Sequence, residues 1–313
     1  MTASSYSSAF VEANGIRLHY LDWGGAGPVM LLLAGMGCNA YIFTHLAPFF
    51  SDRYRVLALT RRGHGDSDHP EDGYDLDTLV EDIHQFLDVL DIGPVILAGH
   101  SLAGVELGRF AARYPERVQA LIYLDAGFDR ASAAMKALWE NNPLNTIQPP
   151  GLDEDVFTVD AYIEQTKRAF PNLAAIWNAT MDEQSRHEVM MLDDGRVVDR
   201  MSEAISQALV TMMRGYSLED RQIRAPVLSL YAHLISDYVI SRDFMTEEQI
   251  EQVRAFVDGV LPPRRQAVIQ EFQHKVPQAE IIDINPGHHY CFLLQEEAVV
   301  AGMNTFLLRH ALA

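Results

Sequence analysis

The sequence predicts an α/β chain: a mostly parallel, twisted sheet of about eight strands, with helices on both faces and an inserted helical lid. Three observations predict it. Short continuous apolar runs, Val29–Leu33, Arg55–Leu59, Val95–Ala98 and Ala120–Leu124, alternate with helical patterns, as strands buried on both faces of a parallel sheet do. That alternation stops at Ala126, gives way to helical patterns as far as about Arg224, and resumes at Pro226. Between the two, Val95–Val105 reads as strand, sharp turn and helix: a β-branched run ends in Gly99, Ser101 stands at the apex, and Ala103-Gly104 opens the next helix. A turn that tight needs small residues on either side of its apex, because strand and helix pass close there.

Taken in order, Phe10–Trp23 is a hairpin around Asn14-Gly15, with Ile16, Leu18 and Tyr20 alternating. Val29–Leu33 is a buried strand ending in Ala34-Gly35-Met36-Gly37, followed by a short helix over Tyr41–Phe50. After the Arg55–Leu59 strand, apolar residues from Leu76 to Leu90 fall on one helical face, which Asp75 or Asp77 can cap. The helix after Ser101 runs to about Tyr114, and the Ala120–Leu124 strand ends at Asp125. From Ala126 to Arg224 no convincing buried strand is visible. Candidate helices are Ser132–Glu140, Val159–Ala169, Asp182–Leu192 and Arg200–Arg214, broken by Pro143, Pro149-Pro150, Pro171 and Asp193-Asp194-Gly195. This segment is rich in Met and carries Trp139 and Trp177. Most of these side chains suit the segment's own core, and a few suit an adaptable apolar pocket. Val227–Tyr231 and Ile281–Ile284 are the last strands, Ser236–Lys275 is polar and helical, and a closing helix carries Val299, Met303, Phe306 and Leu307. The organisation is a core of 1–125 and 225–313 with a lid of 126–224.

Composition narrows the function classes. The net charge of −19 argues against nucleic acid or an anionic membrane as partner. No apolar run reaches the ~18 residues of a membrane span. Two cysteines, Cys38 and Cys291, cannot staple a chain of 313 residues and suit a reducing compartment. Met1–Phe10 has no basic n-region or apolar h-region, so the expected location is cytoplasmic. Neither a CxxC, an HExxH nor a GxGxxG pattern is present, and the expectation is chemistry without metal or cofactor.

Three motifs, Gly99-His100-Ser101-Leu102-Ala103-Gly104, Arg62-Gly63-His64-Gly65-Asp66-Ser67 and Gly287-His288-His289-Tyr290, give nearly all of the chain outside 126–224 a resemblance to lid-bearing α/β-hydrolases. The resemblance implies Ser101 as nucleophile. The serine sets the chain apart from the family's haloalkane dehalogenases and epoxide hydrolases, which attack with Asp. A hydroxyl needs a base within reach, and the resemblance places it after the last strand: His289, by its pairing with a following aromatic, or His288, by the Gly-His pattern. His289 is the assignment. The acid comes either from the end of the strand before the lid, Asp125, or from beyond the Val227–Tyr231 strand, where Asp237 lies two residues late; Asp125 is the assignment. The oxyanion hole implied is the backbone N–H of Met36 and of Leu102. His64, His100 and Arg62 read as structural, and the cysteines as packing residues. The expected activity is a cofactor-independent serine hydrolase, a carboxylesterase or lactonase for a small to medium apolar substrate. Thioester, amide or C–C cleavage could run on the same groups, and a ligand receptor with slow or no turnover is the reading from another class.

Overall fold

Asn14 and Gly15, with φ of 49° and 75°, turn the chain between β1 (Ser7–Ala13) and β2 (Ile16–Asp22), the backbone that a two-residue Asn-Gly hairpin requires. A computed structural model of the chain describes residues 5–149, 155–218 and 223–312. It continues with β3 (Val29–Leu33), β4 (Arg55–Leu59), α1 (Leu76–Val89), β5 (Val95–His100), α2 (Ala103–Arg113) and β6 (Val118–Leu124). After an inserted segment come β9 (Val227–Ala232), β10 (Ala279–Ile284) and the helices around them. The eight strands outside the insertion form one sheet in the order β1-β2-β4-β3-β5-β6-β9-β10. Pairings β1–β2 and β2–β4 are antiparallel and the rest parallel.

The two faces follow from side-chain alternation. On one, Leu31, Leu57, Leu97 and Leu121 pack with Val80, Ile83 and Phe86 of α1 and Leu107 and Phe110 of α2. On the other, Met30, Leu32, Val56, Ile96 and Ile122 pack with Phe43 and with Met303, Phe306 and Leu307. The start of α1 is fixed by Asp75, whose side chain accepts from Thr78 N, and not by Asp77. Tyr41–Phe50 is not one helix: it forms two 3-10 turns, Ala40–Phe43 and Ala47–Phe49, with Pro48 in the second.

The insertion comprises α3 (Ala133–Leu138), α4 (Val159–Ala169), α5 (Pro171–Ala174), α6 (Ala179–Glu188), the hairpin β7 (Val189–Met191) and β8 (Val197–Asp199), and α7 (Glu203–Gly215). Helices dominate it, but the expected absence of a buried strand is corrected by this hairpin, whose Val189 and Val197 are buried. Asp193-Asp194-Gly195, read as a helix break, is its turn, and the helix expected to reach Leu192 stops at Glu188. The second proline of Pro149-Pro150 lies outside the described residues. Beyond β9, α8 (Glu247–Ala255) runs through a π-helical turn, Phe256–Val260, into α9 (Leu261–Lys275); α10 (Cys291–Leu294) and α11 (Glu296–Arg309) follow β10. No described helix is long and apolar enough to cross a membrane.

Polar contacts dock the insertion onto loops of the core. Glu188 is buried and accepts from Asn39 Nδ2 at 2.8 Å and from Gly65 N at 3.2 Å. The His187 ring stacks on Tyr41 at 3.8 Å, and its Nδ1 lies 2.6 Å from an Asp66 carboxylate oxygen. Burial pushes the Glu188 carboxyl up from 4.5 to about 7, against the hydrogen bonds from Gly65 and Asn39. The folded chain thus holds a proton that the unfolded chain releases from about pH 4.5 upward. Stability contributed by this proton is whole below that pH and is lost as the pH rises through about 7. Denaturant unfolding of wild type and Glu188→Gln across pH 4 to 9 should show the wild type losing ground to the variant as pH rises, by on the order of a few kcal/mol; parallel curves would show that Glu188 does not titrate in this range.

Candidate active site

The site is built where parallel strands end, the place where open α/β sheets gather ligands. Strand β5 stops at His100 and the chain turns at Ser101, whose φ is +54°. This left-handed backbone is unusual for a side chain with a Cβ and is found where structure over-determines it. What over-determines it is visible in the packing. A Cβ on Gly99 would stand 2.7 Å from a Leu107 methyl and 2.9 Å from the Ala103 Cβ, so only glycine lets the helix fold back this tightly. Ala103 is tolerated because Gly104 takes the next close approach, against the Ala126 backbone.

The adjacent strand β6 ends in the same way. Asp125 has φ +50°, its N–H donates to Leu230 O at 2.9 Å, and it is buried. Its carboxylate Oδ2 accepts from His289 Nδ1 at 2.7 Å. Its Oδ1 accepts from Ala232 N at 3.1 Å and from an Arg265 guanidinium N–H. Burial alone would raise this carboxyl; the Arg265 charge, then the His289 hydrogen bond, reverse that and hold it far below the carboxylate range. The structure therefore brings Asp125 to His289. Asp237 is elsewhere: its side chain is 79% exposed and lies 3.8 Å from Arg254.

The two adjacent histidines are separated as clearly. His288 is buried, its N–H donates to Gln295 Oε1 at 3.2 Å, and its Nδ1 accepts from Tyr290 N at 3.1 Å. Burial pushes its ring down to about 4, so it stays neutral. His289 is 41% exposed at its side chain and lines the same cavity as Ser101. Its backbone is anchored by His100, a buried ring whose Nε2–H donates to the His289 carbonyl at 3.0 Å. A ring nitrogen facing a carbonyl must carry the proton, which fixes the His100 tautomer.

Met36 and Leu102 meet in a small apolar cluster with Tyr74, Leu79, Ile205 and Leu209. The loop carrying Met36 runs against the elbow: a Cβ on Gly35 would lie 3.1 Å from the Ser101 Cβ. Arg61 ties that loop down. Its guanidinium donates to Ala34 O at 2.8 Å and pairs with buried Glu106 of α2. Arg62 pairs with buried Asp82 at 2.6 Å, and His64 donates from Nδ1 to Arg62 O at 3.0 Å. Cys38 and Cys291 are free and buried, and burial pushes the Cys38 thiol up to about 12.

Ser101, Asp125 and His289 open onto a cavity of about 470 Å³. Its walls are mostly apolar: Met135, Leu138, Trp139 and Phe170 from the insertion, and Leu234, Val239, Phe244 and Met245 from the segment after β9. That second wall is not evident in the sequence. Two arginines also line the cavity, Arg130 and Arg265. A signal for Arg265 exists: the buried positions of α9 are Leu261, Arg265, Val268, Ile269 and Phe272, a helical stripe in which a cation interrupts apolar residues. Arg130 carries no comparable sequence signal. Among the described residues no group of three or more His, Cys, Asp or Glu is placed to hold a metal ion.

A family model described as alpha/beta hydrolase fold matches residues 28–176, and the sheet order above is consistent with that fold. Among curated relatives it is similar to 2-(acetamidomethylene)succinate hydrolase of Mesorhizobium japonicum, 34% identical over 151 residues, 48% of this chain and 52% of that one. It is also similar to Epoxide hydrolase 4 of Mus musculus, 38% identical over 118 residues, 37% of this chain and 33% of that one. The match thus spans about half the length of the first relative and a third of the second. Among solved structures, E-2-(acetamidomethylene)succinate hydrolase superposes with a TM-score of 0.73 at 22% identity, over 97% of this chain and 99% of that one. A marine microorganism esterase superposes with 0.63 at 19%, over 97% and 100%.

The short contact between Asp125 and His289 has a direct spectroscopic consequence. The His289 Nδ1 proton should appear far downfield in the proton NMR spectrum, should be lost or shifted strongly in Asp125→Asn, and should be unmoved in Asp237→Asn. An unchanged resonance in Asp125→Asn would mean that the two side chains are not bonded in solution.

Proposed function

We propose that the chain is a cofactor-independent serine hydrolase that cleaves an ester or lactone of a small to medium substrate through an acyl-enzyme. One observation carries this reading: His289, bonded through Nδ1 to buried Asp125, shares a cavity with a serine held on a strained elbow. A neutral imidazole that donates from Nδ1 has its lone pair on Nε2, the atom that takes the nucleophile's proton. The Ser101 oxygen then forms its bond to the substrate carbonyl carbon as its proton passes to His289. The oxyanion is met by the backbone N–H groups of Met36 and Leu102. As the tetrahedral adduct collapses, the leaving oxygen takes the proton back from His289, and water, deprotonated by the same base, releases the acid. Asp125 fixes the ring and balances the imidazolium, and Arg265 keeps Asp125 ionised. The serine places this chemistry apart from the Asp attack implied for epoxide hydrolases. We further read residues 126–224 as a lid whose Met135, Leu138, Trp139 and Phe170 set the acyl chain that fits.

Ser101→Ala should fold normally, lose covalent labelling by a fluorophosphonate, and lose on the order of 10³ to 10⁶ in kcat on a short aryl ester. Near wild-type turnover in that variant would end the serine mechanism. His289→Ala should match that loss, Asp125→Asn should lose on the order of 10⁴, and Asp237→Asn should keep most activity. Steady turnover of the aryl ester by the wild type separates an enzyme from a receptor that is only labelled. Exchanging Trp139 or Met135 for a smaller residue should shift acyl-length preference by roughly 10- to 200-fold; equal losses on every acyl length would assign these side chains a purely structural role.

A further inference from the structure

The apolar cavity holds more positive charge than its own residues neutralise. Among the described residues three ionised side chains line it: Asp125, Arg130 and Arg265. Asp125 and Arg265 are paired. Arg130 has no ion-pair partner among the described residues. One of its terminal N–H groups donates to the Ser101 carbonyl at 3.3 Å, and its Nε is buried without a hydrogen-bond partner among the described residues. The Phe128 ring lies 5.0 Å from its guanidinium carbon, a ring it shares with Arg265 at 5.7 Å. Burial draws the Arg130 guanidinium down to about 10, with only the more distant Asp125 charge opposing. An unpaired cation among apolar walls is costly, and its presence in a chain of net charge −19 is not a matter of general surface charge.

We propose that the cavity takes a substrate bearing a carboxylate, held by Arg130 a short spacer away from the carbonyl that meets Ser101. The proposal rests on the hydrolase reading above. The match is in charge and in shape. One surplus positive charge suits a monoanion, whereas a phosphate dianion would leave a negative charge uncompensated in the same walls. The planar N–H fork of a guanidinium fits the two oxygens of a carboxylate. Arg130 is within one hydrogen bond of the nucleophile's own backbone, so the carboxylate and the scissile carbonyl belong to one short acyl group, as in a hemiester of a dicarboxylic acid. The apolar walls around Phe244 and Met245 are left for the remainder of the substrate.

The test compares the para-nitrophenyl hemiester of glutaric acid with the para-nitrophenyl ester of valeric acid, acyl groups of equal length that differ in the terminal charge. Wild type should favour the anionic ester in kcat/KM, although its walls are apolar. Arg130→Met should lower the ratio of anionic to neutral kcat/KM by roughly 10- to 100-fold, the scale of a charge-assisted hydrogen bond, and Arg130→Lys should recover part of it. A wild type that favours the neutral ester, or an Arg130→Met loss equal on both, would overturn the proposal and make Arg130 a brace of the elbow. If neither ester turns over, the hydrolase reading fails by itself. Calorimetric binding of monomethyl glutarate, a monoanion, then decides the anion site: affinity lost in Arg130→Met supports it, and equal or absent binding in both proteins overturns it. Should Arg130→Met not fold, the wild-type preference and Arg130→Lys carry the same decision.

Discussion

The buried carboxylate of Asp125 is the constraint on which the site depends. It reaches the His289 ring 164 residues away, the Arg265 guanidinium 140 residues away and the Ala232 N–H 107 residues away. A carboxylate taken out of water costs several kcal/mol unless its oxygens are filled. Strand β9, helix α9 and the turn after β10 must therefore all be in place before this group is tolerated. The same contacts that make the burial tolerable aim the ring. Local geometry at the site and the long-range assembly of the sheet are one requirement.

Most of the sheet was legible because buried parallel strands write themselves as unbroken apolar runs, as at Val29–Leu33 and Val95–Ala98. Helix α1 was legible because one of its faces is a clean stripe. The elbow was legible because tight packing demands small residues at Gly99 and Gly104. What could not be read was set by partners remote in sequence. The hairpin of β7 and β8 buries one residue in each three-residue strand, too little to show an alternation. Val239, Phe244 and Met245 of the cavity wall come from a segment that reads as polar and helical. Whether Asp125 or Asp237 meets the histidine depends on where each strand exit points. Asp125 continues a strand inside the sheet, and Asp237 sits in a 3-10 turn, Ser236–Tyr238, facing water.

Labour is divided between two kinds of structure. Ser101, Asp125 and His289 sit at or just beyond the ends of strands whose positions the whole sheet determines. The walls around them come from helices and connecting segments that the sheet does not determine. Arg130 stands between the two classes: it follows β6 by a few residues, touches the elbow, and faces the same space as the insertion's aromatics.

Neighbouring strands β5 and β6 each end in a side-chain-bearing residue with φ near +50°, Ser101 and Asp125. Each such conformation costs of order 1 kcal/mol or more that glycine would not incur. In the unfolded chain neither residue carries that strain, so the groups that serve the site work against the folded state. Under the proposed mechanism, thermal stability and reactivity are thus opposed at these two positions. Glycine at 101 would relax the turn and leave no hydroxyl. Screening this fold for heat resistance alone would enrich changes at the places where the proposed chemistry resides.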